Sequence, residues 1–211
     1  MYNMKRILSN PGVYLIKIFN RIPALWCFFR IFPAIDSRTS VLKKIPRKSV
    51  GAEIGVWRGD FSDRIYYIVS PKKLYLVDPW QYNPKYPARM YGGIVASSQD
   101  DMDRIFHSVC SRFAKRPEVE PMQVPSVDFF SRIEEGSLDF IYIDGNHSYE
   151  YVLSDLESSK TAVRSGGIVT GDDVFWKDTD GSQPVKSALD AFSRKHGVKY
   201  SIIGNQFYIE L

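Results

Sequence analysis

Over residues 49–211, short apolar runs alternate with segments of helical periodicity, and this alternation constrains the fold more than any other feature of the sequence. It is typical of α/β domains, in which crossover helices join parallel strands. The last two runs, Lys199–Ile203 and Gln206–Leu211, flank Gly204-Asn205, a pair that favours a tight hairpin turn. We therefore predict a mostly parallel, seven-stranded sheet that ends in an antiparallel hairpin and is flanked by helices.

The same pattern predicts the individual elements. Strands are expected where apolar residues run together, at 49–55, Leu74–Val77, Val119–Val124, Phe140–Ile143 and from Gly167 to Thr170. Helices are expected at Phe61–Val69, Ser97–Ala114, Tyr149–Val163 and Val185–Lys195.

Acidic residues stand at the carboxyl ends of the predicted strands. The first strand ends near Glu53, the second at Asp78, the fourth at Asp144 and the fifth at Asp172-Asp173. An open α/β sheet binds its ligands beyond these ends. Acids with a purely structural role would scatter over the surface, so the clustering predicts a binding site at this edge of the sheet.

The turn after the first strand has the spacing Glu-x-Gly-x-x-x-Gly, formed by Glu53, Gly55 and Gly59. Glycines permit a tight turn and a close approach of a ligand to the backbone. A dinucleotide-binding fingerprint would need a third glycine and would not have Trp57 in the turn. The acid would repel a pyrophosphate but suits a ligand ammonium. Asp78, 25 residues after Glu53, stands where a ribose-binding carboxylate is expected. Together these features describe a nucleoside that carries an amino acid, which is S-adenosylmethionine.

Four motifs, EIGVWRG, LYLVDPW, FIYIDGNHSYEYVLSDL and GGIVTGDDV, occur in order along the chain. They resemble class I S-adenosylmethionine-dependent methyltransferases, in the metal-dependent branch of catechol O-methyltransferase-like and macrolide-sugar O-methyltransferase-like enzymes. The resemblance runs from the first motif to the C-terminus and implies a Rossmann-like fold. It implies that Glu53 binds the methionine ammonium, that Gly55 lines the cofactor and that Asp78 binds the ribose hydroxyls. It also places Ser126 beside the adenine and makes Ser62 a candidate for the methionine carboxylate.

The same branch binds a divalent metal through one acid after the fourth strand and two groups after the fifth, and Asp144, Asp172 and Asp173 match these positions. Hard oxygen donors suit Mg²⁺, and a hydroxyl bound to a metal loses its proton more easily. Asp144 would then border the cofactor and take part in catalysis. The alternative is that Asp172 caps the following segment and Asp173 faces solvent.

His147 lies three residues after Asp144, where the catechol-type enzymes carry a lysine base. An imidazole titrates near neutral pH and is well suited to remove a proton from an alcohol. We therefore predict that His147 is the general base. The alternative is that His147 caps the helix predicted from Tyr149.

The segment after Asp78 is rich in proline and aromatic residues. Aromatic side chains with polar tips suit the binding of sugars and aromatic rings, so we predict that this insert covers the site as a mobile lid. The alternative is a packed surface loop. The predicted substrate-binding residues are Trp80, Tyr82, Tyr86 and Tyr91.

Residues 1–48 form an extension outside the resemblance, with ten Lys and Arg residues against one acid, Asp36. Its apolar part, about 13–34, is interrupted by charges and prolines and is too short for a membrane span. Two interpretations remain open: short helices packed on the domain or on a second subunit, which favours a homo-oligomer, or a basic amphipathic element on an anionic membrane.

Charge and cysteine content restrict the partners. Residues 49–211 carry 18 basic and 23 acidic residues, which argues against nucleic-acid binding over most of the surface. Cys27 and Cys110 cannot form a disulfide framework, so a cytoplasmic setting is expected, with peripheral membrane contact as an option.

The predicted activity is O-methyl transfer from S-adenosylmethionine, assisted by Mg²⁺, to a hydroxyl of a sugar, glycan or small natural product. A catechol or phenol acceptor is the alternative within the same chemistry. A non-catalytic cofactor-binding assembly protein is the alternative of another class. A receiver-like phosphorylation module fits poorly, since its acidic pair follows the first strand rather than the fifth.

Overall fold

The computed structural model describes residues 11–84 and 96–211 and contains a seven-stranded sheet. The strands are β1 (Val50–Ile54), β2 (Lys73–Asp78), β3 (Val119–Gln123), β4 (Leu138–Ile143), β5 (Val163–Gly171), β6 (Tyr200–Ile203) and β7 (Gln206–Glu210). Their order across the sheet is β3-β2-β1-β4-β5-β7-β6. The chain leaves β3 at one edge and returns on the other side of β1. The point where the strand order reverses therefore lies between β1 and β4, where such sheets bind ligands.

The first five strands are parallel, and β7 runs antiparallel between β5 and β6. The β6–β7 hairpin closes at Gly204-Asn205, with Ile203 opposite Gln206. The predicted mostly parallel sheet with an antiparallel C-terminal hairpin is confirmed. One difference is that β5 begins at Val163, four residues before the predicted start, because an irregular pairing opposite Leu138 lets the chain enter the sheet early.

Helices pack on both faces of the sheet. They are α1 (Pro11–Arg21), a 3₁₀ helix (Pro23–Arg30), α2 (Ser37–Leu42), α3 (Asp60–Val69), α4 (Gln99–Phe113), α5 (Ser126–Phe130), α6 (Tyr149–Ala162) and α7 (Pro184–His196). The short helix α5 was not predicted, since five residues give too little periodicity to distinguish a helix from a turn.

The sheet separates two hydrophobic cores. Successive side chains of a strand point to opposite faces, so Phe140 and Tyr142 of β4 join the core with α3 and α4, while Ile141 and Ile143 join the core with α6 and α7. All four side chains are buried, which explains why this strand reads as a continuous apolar run.

The N-terminal extension contributes to the first of these cores. Trp26 of the 3₁₀ helix and Leu42 of α2 are fully buried, and both belong to the same cluster as the β4 aromatics. Phe19 of α1 packs against Trp26, with ring centroids 5.1 Å apart. None of the described helices is long and apolar enough to cross a membrane.

Candidate active site

The turn after β1 is held by the carboxylate of Asp78 at the end of β2. Its Oδ2 accepts hydrogen bonds from the backbone N–H groups of Val56 and Trp57, both at 3.0 Å, and its Oδ1 accepts one from Trp80 at 2.7 Å. Burial raises the pKa of Asp78, and these three hydrogen bonds oppose the shift. Trp57 has a φ of 54°, which is uncommon for a bulky residue, so the carboxylate stabilises a strained turn.

Gly55 is required where the turn meets the end of β4. It has a φ of 89°, and a Cβ there would lie 2.2 Å from the carbonyl oxygen of Asp144. The backbone of Asp144 also donates to the carbonyl of Ile54 at 2.8 Å. At the far end of the turn, Gly59 has a φ of 76° and precedes α3. Gly55 thus lets the first and third motifs make direct backbone contact.

Glu53 is a buried carboxylate directly under this turn, with 1% of its surface exposed. Its Oε2 accepts a hydrogen bond from the hydroxyl of Ser62, which is itself fully buried. Burial raises the pKa of Glu53 well above its ordinary value; the Ser62 hydrogen bond and the charge of Arg38 lower it, and the charge of Asp144 raises it further. Ser62 is predicted to approach the methionine carboxylate; in this structure its hydroxyl is buried and donates to Glu53, and the predicted role stays a prediction.

A second cluster lies at the ends of β4 and β5. The Nε2 of His147 is 3.7 Å from Oδ1 of Asp144 and 3.3 Å from Oδ2 of Asp173. Asp144, His147 and Asp173 each place one possible ligand atom, a carboxylate oxygen or a ring nitrogen, within 4.8 Å of those of the other two. That Nε2 atom is buried and has no hydrogen-bond partner among the described residues. The arrangement is two carboxylates around an imidazole nitrogen, a donor set that fits a divalent cation or a proton.

The hairpin turn supports this cluster from the side. The Nδ2 of Asn205 donates to Oδ1 of Asp173 at 2.9 Å, which leaves Oδ2 facing His147. Asp173 itself has a φ of 60°, a conformation that aspartate tolerates better than most residues. The sequence marked Asn205 only as a turn residue, so its contact with the site was missed.

Asp172 is paired with other groups in this structure. It exposes 6% of its surface, its Oδ2 accepts from Nε of Arg38 at 2.5 Å, and its Oδ1 accepts from the side chain of Gln206. The prediction that Asp144, Asp172 and Asp173 act together as metal ligands stays a prediction, and only two of these three acids lie in the cluster described here. The structure groups Asp144 and Asp173 with His147, because Asp172 is already paired with a cation.

Arg38 is a second residue of the site that sequence reasoning missed. Its Nη2 lies 3.3 Å from Oδ2 of Asp144, so it bridges two predicted metal ligands. Burial raises the pKa of Asp144, and the nearby side chain of His147 and the charge of Arg38 lower it. Arg38 lies outside all four motifs, and the only signal was its position after Asp36, which caps the short helix α2.

The aromatic residues of the insert differ in their accessibility. Trp80 is fully buried, its indole N–H donates to the carbonyl of Trp57 at 2.8 Å, and its ring packs on Phe106. The ring of Trp80 thus forms part of the core in this structure, and its predicted contact with the substrate stays a prediction. Tyr82 is half-buried against the same core. The predicted residues Tyr86 and Tyr91 lie outside the described part of the chain.

Ser126 begins α5 and contacts Asp155 of α6 through its side chain. Burial raises the pKa of Asp155 to about 6, and the bond from Ser126 opposes the shift. The half-buried Ser126 lies after β3, on the side of β2 away from the β4–β5 cluster.

The strand order, the glycine turn after β1 and the acidic cluster at the carboxyl edge together define a class I S-adenosylmethionine-dependent methyltransferase. More specifically, the family described as "Methyltransferase domain" matches residues 52–174, more than half of the chain, and the protein belongs to this family. None of the curated proteins matches the chain significantly.

Several solved structures share the fold. The O-methyltransferase NovP is 18% identical with a TM-score of 0.55, over 89% of this chain and 79% of NovP. An S-adenosylmethionine-dependent methyltransferase from Aquifex aeolicus is 15% identical with a TM-score of 0.52, over 82% of this chain and 87% of that one. The methyltransferase MycE of the mycinamycin biosynthetic pathway, solved with Mg and S-adenosylhomocysteine, is 15% identical with a TM-score of 0.51, over 77% of this chain and 45% of MycE.

Proposed function

We propose that the protein transfers the methyl group of S-adenosylmethionine to a hydroxyl of a sugar, glycan or small natural product. The observation that carries this proposal is the pair of carboxylates, Asp144 and Asp173, around the buried and unpartnered Nε2 of His147. An alcohol is a weak nucleophile until its proton is removed, and this cluster is a proton acceptor next to the cofactor turn.

The cofactor would bind at the ends of β1 and β2. Glu53 is a buried acid whose side-chain hydrogen-bond partner is the neutral hydroxyl of Ser62. A ligand ammonium supplies the positive charge that this carboxylate lacks. Asp78 can hold the turn and accept the ribose hydroxyls, since a carboxylate has about four lone-pair sites. Gly55 and Gly59 would line the cofactor without side chains in the way.

The proton of the acceptor hydroxyl would pass to Nε2 of His147. Asp144 and Asp173 stabilise the imidazolium that forms, because both carboxylates lie within 4 Å of that nitrogen. Moving the proton before or during methyl transfer makes the oxygen a better nucleophile, and holding it close to the methyl group lowers the entropic barrier.

A divalent cation such as Mg²⁺ would be held by the carboxylates of Asp144 and Asp173, and when bound it would make the hydroxyl more acidic. The donor set fits such an ion, since the two carboxylates converge and have outer partners in Arg38 and Asn205. Asp172 and Asp173 are a matched pair for testing this assignment by calorimetry with Mg²⁺ or Mn²⁺. Asp173→Asn should weaken metal binding about tenfold or more, whereas Asp172→Asn should not. Equal losses would show that Asp172 is a ligand as well.

The activity itself is tested by a methyl-transfer screen. S-adenosylhomocysteine formation is measured with sugars, glycosylated natural products, catechols and simple phenols, each with and without EDTA. Formation of S-adenosylhomocysteine that depends on a sugar hydroxyl supports the proposal. Formation only with phenols or catechols favours the catechol-type alternative. If S-adenosylhomocysteine binds and no acceptor is methylated, the non-catalytic cofactor-binding function is favoured instead.

A further inference from the structure

Arg38 belongs to the N-terminal extension, yet its guanidinium lies inside the site. The Nε and Nη2 atoms are used by Asp172 and Asp144, as described above. The same guanidinium lies 5.1 Å from the ring centroid of Phe61, and its charge acts on Glu53. Arg38 is therefore a cation at the ends of β1, β4 and β5 together.

The position of Arg38 is fixed by the packing of α2. Asp36 caps this helix by accepting from the backbone of Thr39 at 2.7 Å, and its other carboxylate oxygen accepts from the buried Arg64 of α3 at 2.8 Å. Thr39 and Leu42 are fully buried. Arg38 thus projects from a helix that is locked to α3, so its place in the site needs no movement of the extension.

The methionine end of the cofactor carries an ammonium and a carboxylate. Among the predicted cofactor-binding residues, the structure leaves an accessible partner for the ammonium but none for the carboxylate. Glu53 suits the ammonium, but Ser62, the predicted partner of the carboxylate, is buried and occupied. The methionine carboxylate would lie at the acidic edge of the sheet, so it needs a cation to offset the repulsion of the neighbouring acids.

We propose that Arg38 binds the carboxylate of the methionine moiety of the cofactor through Nη1, the atom that its bonds to Asp172 and Asp144 leave available. These two acids hold the guanidinium in place, and about a third of the Arg38 side chain faces solvent, which gives a ligand access. Arginine recognises carboxylates by charge-assisted hydrogen bonds in a defined plane. This inference rests on the proposed function, because it assigns one residue to the same cofactor.

The test compares two ligands that differ in the amino-acid part. S-adenosylhomocysteine carries the carboxylate and 5′-methylthioadenosine does not, and both are titrated calorimetrically into the full chain. Arg38→Gln should weaken S-adenosylhomocysteine binding about tenfold or more while changing 5′-methylthioadenosine binding less than about twofold. Arg164→Gln, on the exposed Arg164–Asp139 pair, is the matched control and should change neither.

Equal losses for the two ligands, or no loss for S-adenosylhomocysteine, would overturn the assignment. If Arg38→Gln does not fold, the wild-type chain is titrated with the carboxamide of S-adenosylhomocysteine, which should bind about tenfold or more weakly than the acid. Equal binding of acid and amide then rejects the role of Arg38. Failure of the wild type to bind S-adenosylhomocysteine at all would instead reject the proposed function.

A different observation concerns the surface of the extension. Six large apolar side chains of residues 15–32, on α1 and between α1 and α2, expose 41–83% of their surface: Leu15, Ile18, Ile22, Phe28, Ile31 and Phe32. On α1, Ile16 and Phe19 face the core, so this helix is apolar on both sides. Isolated exposed apolar residues are ordinary, but a group in one short segment marks an interaction surface.

The charge around this apolar surface indicates its partner. Lys17 and Arg21 are exposed on α1, and the acid of the described extension, Asp36, is already bonded to Arg64. A symmetric pair of copies would bring these cations face to face. We infer that the surface binds an anionic membrane, since a basic and apolar helix lies in the headgroup region of such a membrane.

Sedimentation of the full chain with vesicles tests this inference. Binding to vesicles containing phosphatidylglycerol, weak binding to pure phosphatidylcholine and release by high salt are the expected results. Ile31→Glu with Ile18→Glu should abolish binding, and Val127→Glu, an exposed apolar position on α5, is the control. Absence of binding to anionic vesicles overturns the inference. So does a dimer in solution that the double variant dissociates, since a second copy is then the partner.

Discussion

The ends of β1 and β2 and the ends of β4 and β5 both carry acids, but their partners differ. At β1 and β2, Glu53 accepts from a buried hydroxyl of α3, and Asp78 accepts from three backbone N–H groups that follow β1 and β2. At β4 and β5, Asp144 and Asp173 face an imidazole nitrogen that has no hydrogen-bond partner within the described chain.

This difference supports a division between cofactor binding in the first region and proton removal in the second. Under the proposed function the first region binds the cofactor, and its carboxylates hold the turn in place before any ligand is bound. In the second region Nε2 of His147 makes no hydrogen bond to the described residues, and under the proposed function this atom accepts the proton. Binding and chemistry should therefore respond to different substitutions.

The largest expected effect is on turnover at the second region. His147→Ala should lower the rate about 10²–10⁴-fold, because it removes the proton acceptor, and should leave the affinity for S-adenosylhomocysteine unchanged. The rate is measured with saturating cofactor across pH 6–9. His107→Ala, at an exposed position of α4, is the control.

Full activity of His147→Ala across this range would show that the histidine only precedes α6. A loss of Mg²⁺ affinity in this variant would make His147 a metal ligand, and the division between the regions would then lie elsewhere.

The buried carboxylate of Asp155, which has no cation beside it among the causes of its pKa shift, predicts a pH effect on stability. The folded-state pKa of Asp155 is about 6, above its ordinary 3.8, so the folded protein binds more protons than the unfolded chain between those values. Stability should therefore fall as pH rises from about 4 to about 6, by up to roughly 3 kcal/mol. Asp155→Asn should lack this contribution. Urea unfolding of both proteins at pH 4.5 and 7 measures the difference, and equal pH dependence in both would contradict it.

The fold and the acidic edge could be predicted from the sequence because both are local. Strand and helix periods repeat over a few residues, and in a parallel sheet the residue after each strand necessarily reaches the same edge. Glu53, Asp78, Asp144 and Asp173 were identified by this argument alone.

Tertiary contacts were not predictable in the same way. Arg38 reaches Asp172 across 134 residues of chain, and no local pattern encodes that pairing. Trp80 follows a strand like a ligand-binding residue, but the ring of Phe106 on α4 covers it in the core. Such contacts depend on how the elements pack, which a single sequence does not specify locally.

A smaller effect is expected at the first region. Asp78→Ala removes the acceptor of three backbone N–H groups and the expected partner of the ribose, at a cost of roughly 1–3 kcal/mol. The affinity for S-adenosylhomocysteine should fall about tenfold or more, with 5′-methylthioadenosine affected equally because both carry the ribose. Turnover at saturating cofactor should change little. A large fall in saturated turnover would show that the two regions are not separate.

The smallest effect on cofactor binding is expected for Ser62→Ala. This variant compares Ser62 with Arg38 as the partner of the methionine carboxylate. The buried hydroxyl contacts Glu53, so its loss should destabilise the fold by about 1 kcal/mol. The affinity for S-adenosylhomocysteine should change by less than about threefold, because Ser62 is inaccessible to the ligand and the Glu53 charge remains. Calorimetry and urea unfolding on the same preparation measure both quantities. A loss as large as that of Arg38→Gln would mean that the hydroxyl leaves Glu53 and turns to the cofactor, and the first region would then be rearranged by its ligand rather than preorganised for it.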